Sequence, residues 1–423
     1  MSGTFRVSLI GIALIFLADS TARAQKPLGS DLVIAAFPSN VQAEYYPQPA
    51  CDDAGVCALF WADNHYYPDA NKVDILATIL SSRGQVLVQP RILATGHFPN
   101  GPIAVGMENG FAVFWDSFSP DGHESSIMQY FTESLAPTGA PITLPFSESA
   151  GIKDPNLYGG FSTIVRTRTG FVLYGSTTDS YPSLAYDAFV YFIDSEGVSV
   201  RSRVQVNEGS GRNVNANAFG GLTWQPNGNL IAVYWRGNGA VPSDIFMRRL
   251  AANGKPLGPE TVVNTEHDVL QSGPVVASGP DGSFLVVWQS SPAPDTTSDI
   301  LARRFSAHGQ PLGKPFRVNN VHQLDQRRPV IAADAQGNYF IVWQSFIPPY
   351  NWDIKGRLFR HDGTPVADEV RLNQVRQFEQ YVPQVTFSPN GTVIVGWESG
   401  SLSQKGSEDF VPVARVFSVV PEP

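Results

Sequence analysis

Five carboxylates and nine aromatic side chains are the residues of this 423-residue chain whose types and spacing could do chemistry. The carboxylates are Asp63, Asp69, Asp116, Glu379 and Glu398. A pair of such groups roughly 5 to 10 Å apart, one on each side of a glycosidic bond, would supply the acid and the base or nucleophile of a glycoside hydrolase. The aromatics fall in three groups: Tyr45, Tyr46, Tyr66 and Tyr67; Phe346, Tyr350 and Trp352; and Phe378 and Tyr381. Tyr and Trp present a flat apolar face with a polar tip, suited to stacking on a sugar ring or gripping a peptide. Both sets are far apart in sequence, so either function requires a fold that gathers them.

The signatures of other chemistries are missing. There is no His-Glu-x-x-His, no Gly-x-Ser-x-Gly, no phosphate-binding loop and no Asp-rich calcium loop. His65, His97, His123, His267 and His322 fall in long loops and His308 and His361 in short turns, with no pairing at ligand spacing. No metal site or cofactor is expected. Cys51 and Cys57, the only cysteines, flank the turn Asp52-Asp53-Ala54-Gly55-Val56 and are expected to pair as a disulfide in an oxidising compartment.

The elements that must position these residues are repeated ones. Pro274-Val275-Val276-Ala277, Pro280-Asp281-Gly282, Phe284 to Ser290, Asp299-Ile300, Gly309 to Gly313 and Arg317-Val318-Asn319 form a series. It recurs as Pro329 to Ala332, Gln336-Gly337, Phe340 to Ser345, Asp353-Ile354, Gly363-Thr364-Pro365 and Leu372-Asn373. Aromatic landmarks at Trp61, Trp115, Tyr174, Trp235, Trp288, Trp343 and Trp397, spaced 53 to 61 residues apart, extend it to seven copies. Each copy reads as four short strands, with Gly turns after the first and third and longer loops after the second and fourth. One four-stranded sheet cannot bury both faces alone, but sheets stacked radially cover one another.

The ends complete the pattern. The last copy stops after its third strand at Phe417-Ser418, and the missing fourth matches the N-terminal Lys26-Pro27-Leu28-Gly29 and Leu32-Val33-Ile34. Joining them removes the unpaired edges an open ring would leave. The expected fold is therefore an all-β, seven-bladed β-propeller of four-stranded antiparallel blades, with the N-terminal strand completing the last blade. Residues 1–24 read as a secretory signal, with Arg6, the apolar run Val7 to Ala18 and an Ala22-Arg23-Ala24 cleavage site. Residues 25–420 form the propeller, and no stretch is long enough for a membrane span. The formal net charge of −9 argues against nucleic acid or an anionic membrane as partner.

The blade plan resembles TolB-type propeller repeats. The Val-Val-Trp-Gln-Ser, Asp-Ile-x-x-Arg and Gly-x-Pro-Leu-Gly details are more similar to repeats of large secreted bacterial propeller proteins. The resemblance implies a fold, since functions on propellers are grafted and diverse. Residues present in every copy, such as Gln271, Gln326 and Gln380 or the Asn after Val206, Val263, Val318 and Leu372, are read as structural. Strand alternation puts the long loops on one face, and ring closure makes blades six, seven and one contiguous, so the aromatic loops should meet there. The sequence thus points to a secreted or periplasmic monomer that binds a glycan or a protein on its long-loop face without catalysis. The alternative is a glycoside hydrolase or polysaccharide lyase using carboxylates on the same face.

Overall fold

The computed structural model describes residues 26–27, 32–33, 46–63, 73–96, 101–118, 124–144, 161–178, 186–196, 200–208, 215–216, 220–237, 242–292, 297–349, 351–402 and 408–418. The leader read over residues 1–24 lies outside them. All regular structure among these residues is β-strand, arranged as a propeller-like ring of antiparallel meanders.

The first meander comprises Gln48–Cys51, Cys57–Asp63, Val73–Leu80 and Val86–Gly96, and the second Ile103–Gly106, Phe111–Phe118, Glu124–Phe131 and Ile142–Thr143. The third is Phe161–Thr167, Gly170–Thr178, Tyr186–Asp194 and Val200–Gln205. The fourth is Gly221–Trp224, Leu230–Gly237, Ser243–Leu250 and Thr261–Val262. Leu270–Ser278, Phe284–Ser291, Asp299–Phe305 and Phe316–Arg317 make the fifth, and Gln326–Ala333, Tyr339–Ile347, Asn351–Phe359 and Val370–Arg371 the sixth. The fourth and fifth are joined in one sheet only by the parallel bridge Ser243–Leu270, which a Ser243 Oγ bond to the Gln271 carbonyl at 2.8 Å reinforces.

The last meander has three strands of its own, Gln380–Phe387, Thr392–Leu402 and Glu408–Ser418. Its outer partner comes from the other end of the chain: Lys26 and Pro27 pair with Ser418 and Phe417, and Leu32 and Val33 with Ala414 and Val413. The inner strands touch in cyclic order, and Gln380–Phe387 lies against Gln48–Cys51 to close the circle.

The core lies between meanders. Leu285 and Val287 of the fifth pack against Tyr339, Ile341 and Trp343 of the sixth, and Leu59 and Trp61 of the first pack against Ile394, Ala414 and Val416 of the last. Second strands are covered on both faces, which is why Cys57–Asp63 is buried throughout and reads as a continuous apolar run instead of alternating. The tight turns between first and second strands use glycine at positive φ, as at Gly282 (φ 80°) and Gly337 (φ 84°).

Polar straps repeat with the fold. The indole N–H groups of Trp288, Trp343 and Trp397 donate to the amide oxygens of Gln271, Gln326 and Gln380 at 2.7, 2.7 and 2.8 Å. Asn207, Asn264, Asn319 and Asn373 donate to Asp187, Asp244, Asp299 and Asp353 at 2.6 to 2.8 Å. The guanidiniums of Arg248, Arg303 and Arg357 reach back to the Val206, Val263 and Val318 carbonyls of the preceding meander at 2.9, 2.7 and 2.8 Å, and Arg415 reaches the Leu372 carbonyl at 2.5 Å. The fourth landmark shifts by a residue. Asp244 pairs with Arg236, whereas Asp299 pairs with Ser290, so the aromatic equivalent to Trp288 is the fully buried Tyr234 and not Trp235.

Candidate functional site

Alternation of the strands puts the starts of the inner strands, the ends of the second strands and the starts of the third strands on one face, with the long loops. At this rim the structure contains a feature that the sequence pattern conceals. Tyr46, Arg328 and Val382 have φ of 41°, 51° and 49°, each immediately before a proline, and Gly273 occupies the same place in the fifth meander with φ 58°. In the fifth, sixth and last meanders the register slips by one residue there, as a β-bulge.

The positive-φ positions of the last and first meanders are held from the neighbouring sheet. The Val382 N–H donates to the Gln344 side chain at 3.3 Å, and the Tyr46 N–H to Glu398 Oε1 at 2.9 Å. Gln344 and Glu398 each follow the buried Trp of their second strand, so one strap crosses two successive junctions. Glu398 is thereby a closing group of the ring.

Of the sequence-predicted aromatics, Tyr46, Phe346, Trp352, Phe378 and Tyr381 are described, and all five are half-buried. Phe346 and Trp352 are cross-strand partners whose rings meet edge to face at 5.3 Å. The Arg327 guanidinium lies 5.4 Å from the Trp352 ring and forms an ion pair with Asp325 at 2.5 Å. Tyr381 packs on Phe410 at 5.5 Å and is the cross-strand partner of Glu398. Two small aromatic clusters therefore sit on adjacent meanders, linked through Gln344 and Val382, with Tyr46 on the next. Phe378 supplies its carbonyl to the Gln380 side chain at 2.9 Å. Tyr45, Tyr66, Tyr67, Tyr350 and Asp69 lie outside the described residues.

The predicted carboxylates are differently placed. Asp63, Asp116 and Glu398 are 1, 6 and 4 % exposed. Asp116 accepts the Ser126 hydroxyl at 2.7 Å and, with Ser126, lines a small pocket completed by Gly101, Ile103, Phe114, Trp115, Leu144 and Leu173. The Glu379 carbonyl accepts the Gly400 N–H at 2.7 Å. A perturbed acid lies elsewhere, between the third and fourth meanders. Burial pushes Glu260 up, but bonds from Arg236 at 2.5 and 2.6 Å, from the Tyr234 hydroxyl and from the Glu208 N–H outweigh it and hold the carboxyl below its ordinary range. Burial, and then the bond to Glu260, raises Tyr234. Glu369 repeats the arrangement, taking Lys355 at 2.6 Å and the Asn320 N–H at 2.7 Å, which marks the pair as junction clasps.

Cys51 and Cys57 form the expected disulfide, cross-strand partners at the end of the first meander's inner hairpin. The enclosed Asp52 carboxylate accepts the N–H groups of Val56 and Gly110, and Asp53 meets Arg166 at 2.9 Å, tying this hairpin to the two following meanders. No group of three or more potential metal ligands and no helix long and apolar enough to cross a membrane occurs among the described residues.

The sequence reading passed over Arg327, Arg328 and the bulge. Arg-Arg-Pro sits inside a Gln-x-x-Pro repeat and looks structural, although the variation of its second residue through Gly273, Arg328, Val382 and Tyr46 is a signal that a strained position carries different side chains. No protein-family model matches the chain, and no curated protein matches it by sequence. Among solved structures it is similar to a protein of unknown function from Dyadobacter fermentans, with a TM-score of 0.52 and 11% identity over 94% of this chain and 100% of that one. It is also similar to the GH93 α-L-arabinofuranosidase of Fusarium graminearum, described in complex with arabinobiose, with a TM-score of 0.51 and 11% identity over 92% and 98% of the two chains. At such identities these likenesses establish one thing, the propeller-like all-β fold.

Proposed function

We propose that this chain is a secreted, non-catalytic binding propeller that recognises a glycan or protein on its long-loop face. The fourth and fifth meanders, taken separately across their single bridge, support the reading of a seven-bladed ring. The disulfide supports an oxidising compartment and, with it, the reading of residues 1–24 as a cleaved leader.

One observation carries the choice of binding over catalysis. Asp63, Asp116 and Glu398 are buried, and Asp116 and Glu398 hold hydrogen bonds that fasten strands together. A hydrolytic pair must face substrate with room between its members. The half-buried aromatics at the same rim are the groups that remain available. The rival glycosidase reading draws support from the likeness to an arabinofuranosidase, and that likeness also favours a carbohydrate over a protein as ligand.

The test is a glycan array and a hydrolase and lyase screen on the mature protein. Binding without turnover is expected, and Trp352→Ala should weaken it at least about tenfold, as loss of an aromatic anchor does. Turnover of any glycan that disappears in Asp116→Asn or Glu398→Gln would overturn the proposal.

A further inference from the structure

The rim positions before the prolines are costly places for side chains. Left-handed backbone suits glycine, and the fifth meander uses Gly273 there. A residue preceding proline is pushed away from helical φ and ψ as well. Yet the next three meanders around the ring carry Arg328, Val382 and Tyr46, and a β-branched residue at positive φ is a marked outlier. Backbone strain of this kind persists where the surrounding structure imposes it, and it clusters where proteins bind and act. The hydrogen bonds to Gln344 and Glu398 explain how two of these positions are held. They do not explain why glycine is absent.

Arg328 is exposed, and among the described residues no ion pair or hydrogen bond engages its guanidinium. Beside it, Arg327 is fixed by Asp325 and by the Trp352 ring, so its remaining N–H donors are ordered in advance. In a chain of net charge −9, Arg328 is a cation at the mouth of the ring, beside the Arg327–Asp325 ion pair and next to an aromatic cluster. The N–H groups of Val382 and Tyr46 are already satisfied, so at these two positions the rim offers no free backbone N–H to an incoming peptide strand. What it offers is ring faces and guanidinium forks. Those match a sugar ring that carries a carboxylate, because stacking takes the ring and a bidentate pair takes the charge.

Resting on the binding reading above, we infer that the rim formed by Arg327, Arg328, Trp352, Val382, Tyr381 and Tyr46 is a site for an acidic glycan, with Arg328 as the group that recognises a uronate carboxylate. The side chain at 328 is then retained for the ligand at the expense of the fold.

The experiment measures binding of oligogalacturonate, alginate oligosaccharide, fully methyl-esterified oligogalacturonate and poly-glutamate to the mature wild-type protein and to Arg328→Asn, together with melting temperature. Asn tolerates left-handed backbone, so this substitution removes the guanidinium without adding strain. The inference expects at least one uronate oligosaccharide to bind, more weakly as salt rises, and at least about tenfold better than the uncharged ester. Arg328→Asn should abolish that difference while the melting temperature stays level or rises. Equal binding of acid and ester would overturn the acidic-glycan inference and leave the glycan-binding reading standing. Preference for poly-glutamate would replace the glycan by an acidic peptide. Binding of none of these probes, or a lowered melting temperature in Arg328→Asn with affinity unchanged, would remove the site.

Discussion

The arc from the fourth to the last meander and the arc from the first to the third hold their junctions by different means. In the former, Arg248, Arg303, Arg357 and Arg415 each bond a carbonyl of the preceding sheet. The same register position in the first three meanders holds Thr78, Gln129 and Tyr191, as the fourth-strand pairing shows for Gln129. Thr78 bonds Val88 within its own sheet, Gln129 bonds the Gly139 carbonyl of its own meander at 3.1 Å, and Tyr191 joins a cluster with Phe114, Phe171 and Phe189. The Trp–Gln bond is likewise a feature of the last three meanders, and Trp61 Nε1 has no hydrogen-bond partner among the described residues. A hydrogen-bonded strap demands fixed residue types at fixed spacing, whereas apolar packing accepts many solutions of similar volume. The two arcs thus reach the same geometry with different tolerance for sequence change.

The largest effect should come from removing a strapped core aromatic. Trp343 is fully buried between the fifth and sixth meanders, so Trp343→Ala should cost about 3 to 5 kcal/mol, read by denaturant unfolding. A much smaller loss would mean that the regular arc is no more tightly packed than the diverged one.

Next in size is the arginine strap. Arg303→Ala leaves the Val263 carbonyl without its charged donor and should cost about 1.5 to 3 kcal/mol, against about 0.5 to 1.5 kcal/mol for Thr78→Ala at the equivalent place. Equal losses would erase the distinction drawn between the arcs.

The smallest effect concerns the clasp where the arcs meet. Glu260 is held below its ordinary range, mostly by Arg236 and Tyr234 against the opposing cost of burial. A carboxyl with a depressed folded-state pKa contributes stability that is present above its unfolded pKa and is lost as pH falls through the folded one. Glu260→Gln should therefore lower stability at neutral pH and flatten the acid limb of the stability curve, measured by melting temperature between about pH 7 and pH 3. An unchanged acid limb would locate acid sensitivity in other carboxylates.

The divergence between arcs also sets what could be read without coordinates. Trp288, Trp343 and Trp397 with their glutamines, and the Asp–Asn pairs, declared themselves because bonded partners keep their spacing. The fourth landmark was misplaced by one position because Tyr234 lacks the tryptophan–glutamine pair, and the adjacent Trp235 looked the better match. Pairing of Lys26–Pro27 and Leu32–Val33 with the final strand was legible from the divided repeat. The rim was not. Aromatic loop residues signalled a face, but the burial of Asp63, Asp116 and Glu398 depends on contacts between distant strands, and the bulge at Arg328 and Val382 is a backbone conformation that proline spacing hints at without fixing.

Pairing of the N-terminal segments with Glu408–Ser418 has a consequence for how the molecule comes together. Until the final strand exists, every meander has neighbours on two sides except the first and last, and the chain is a linear stack that can grow one unit at a time. Closure joins partners at nearly the greatest sequence separation the chain allows, and such contacts carry the steepest loop-closure cost. Stability is therefore gained late and all at once, when a linear array of separable units becomes a circle in which the loss of any one junction is felt at every other.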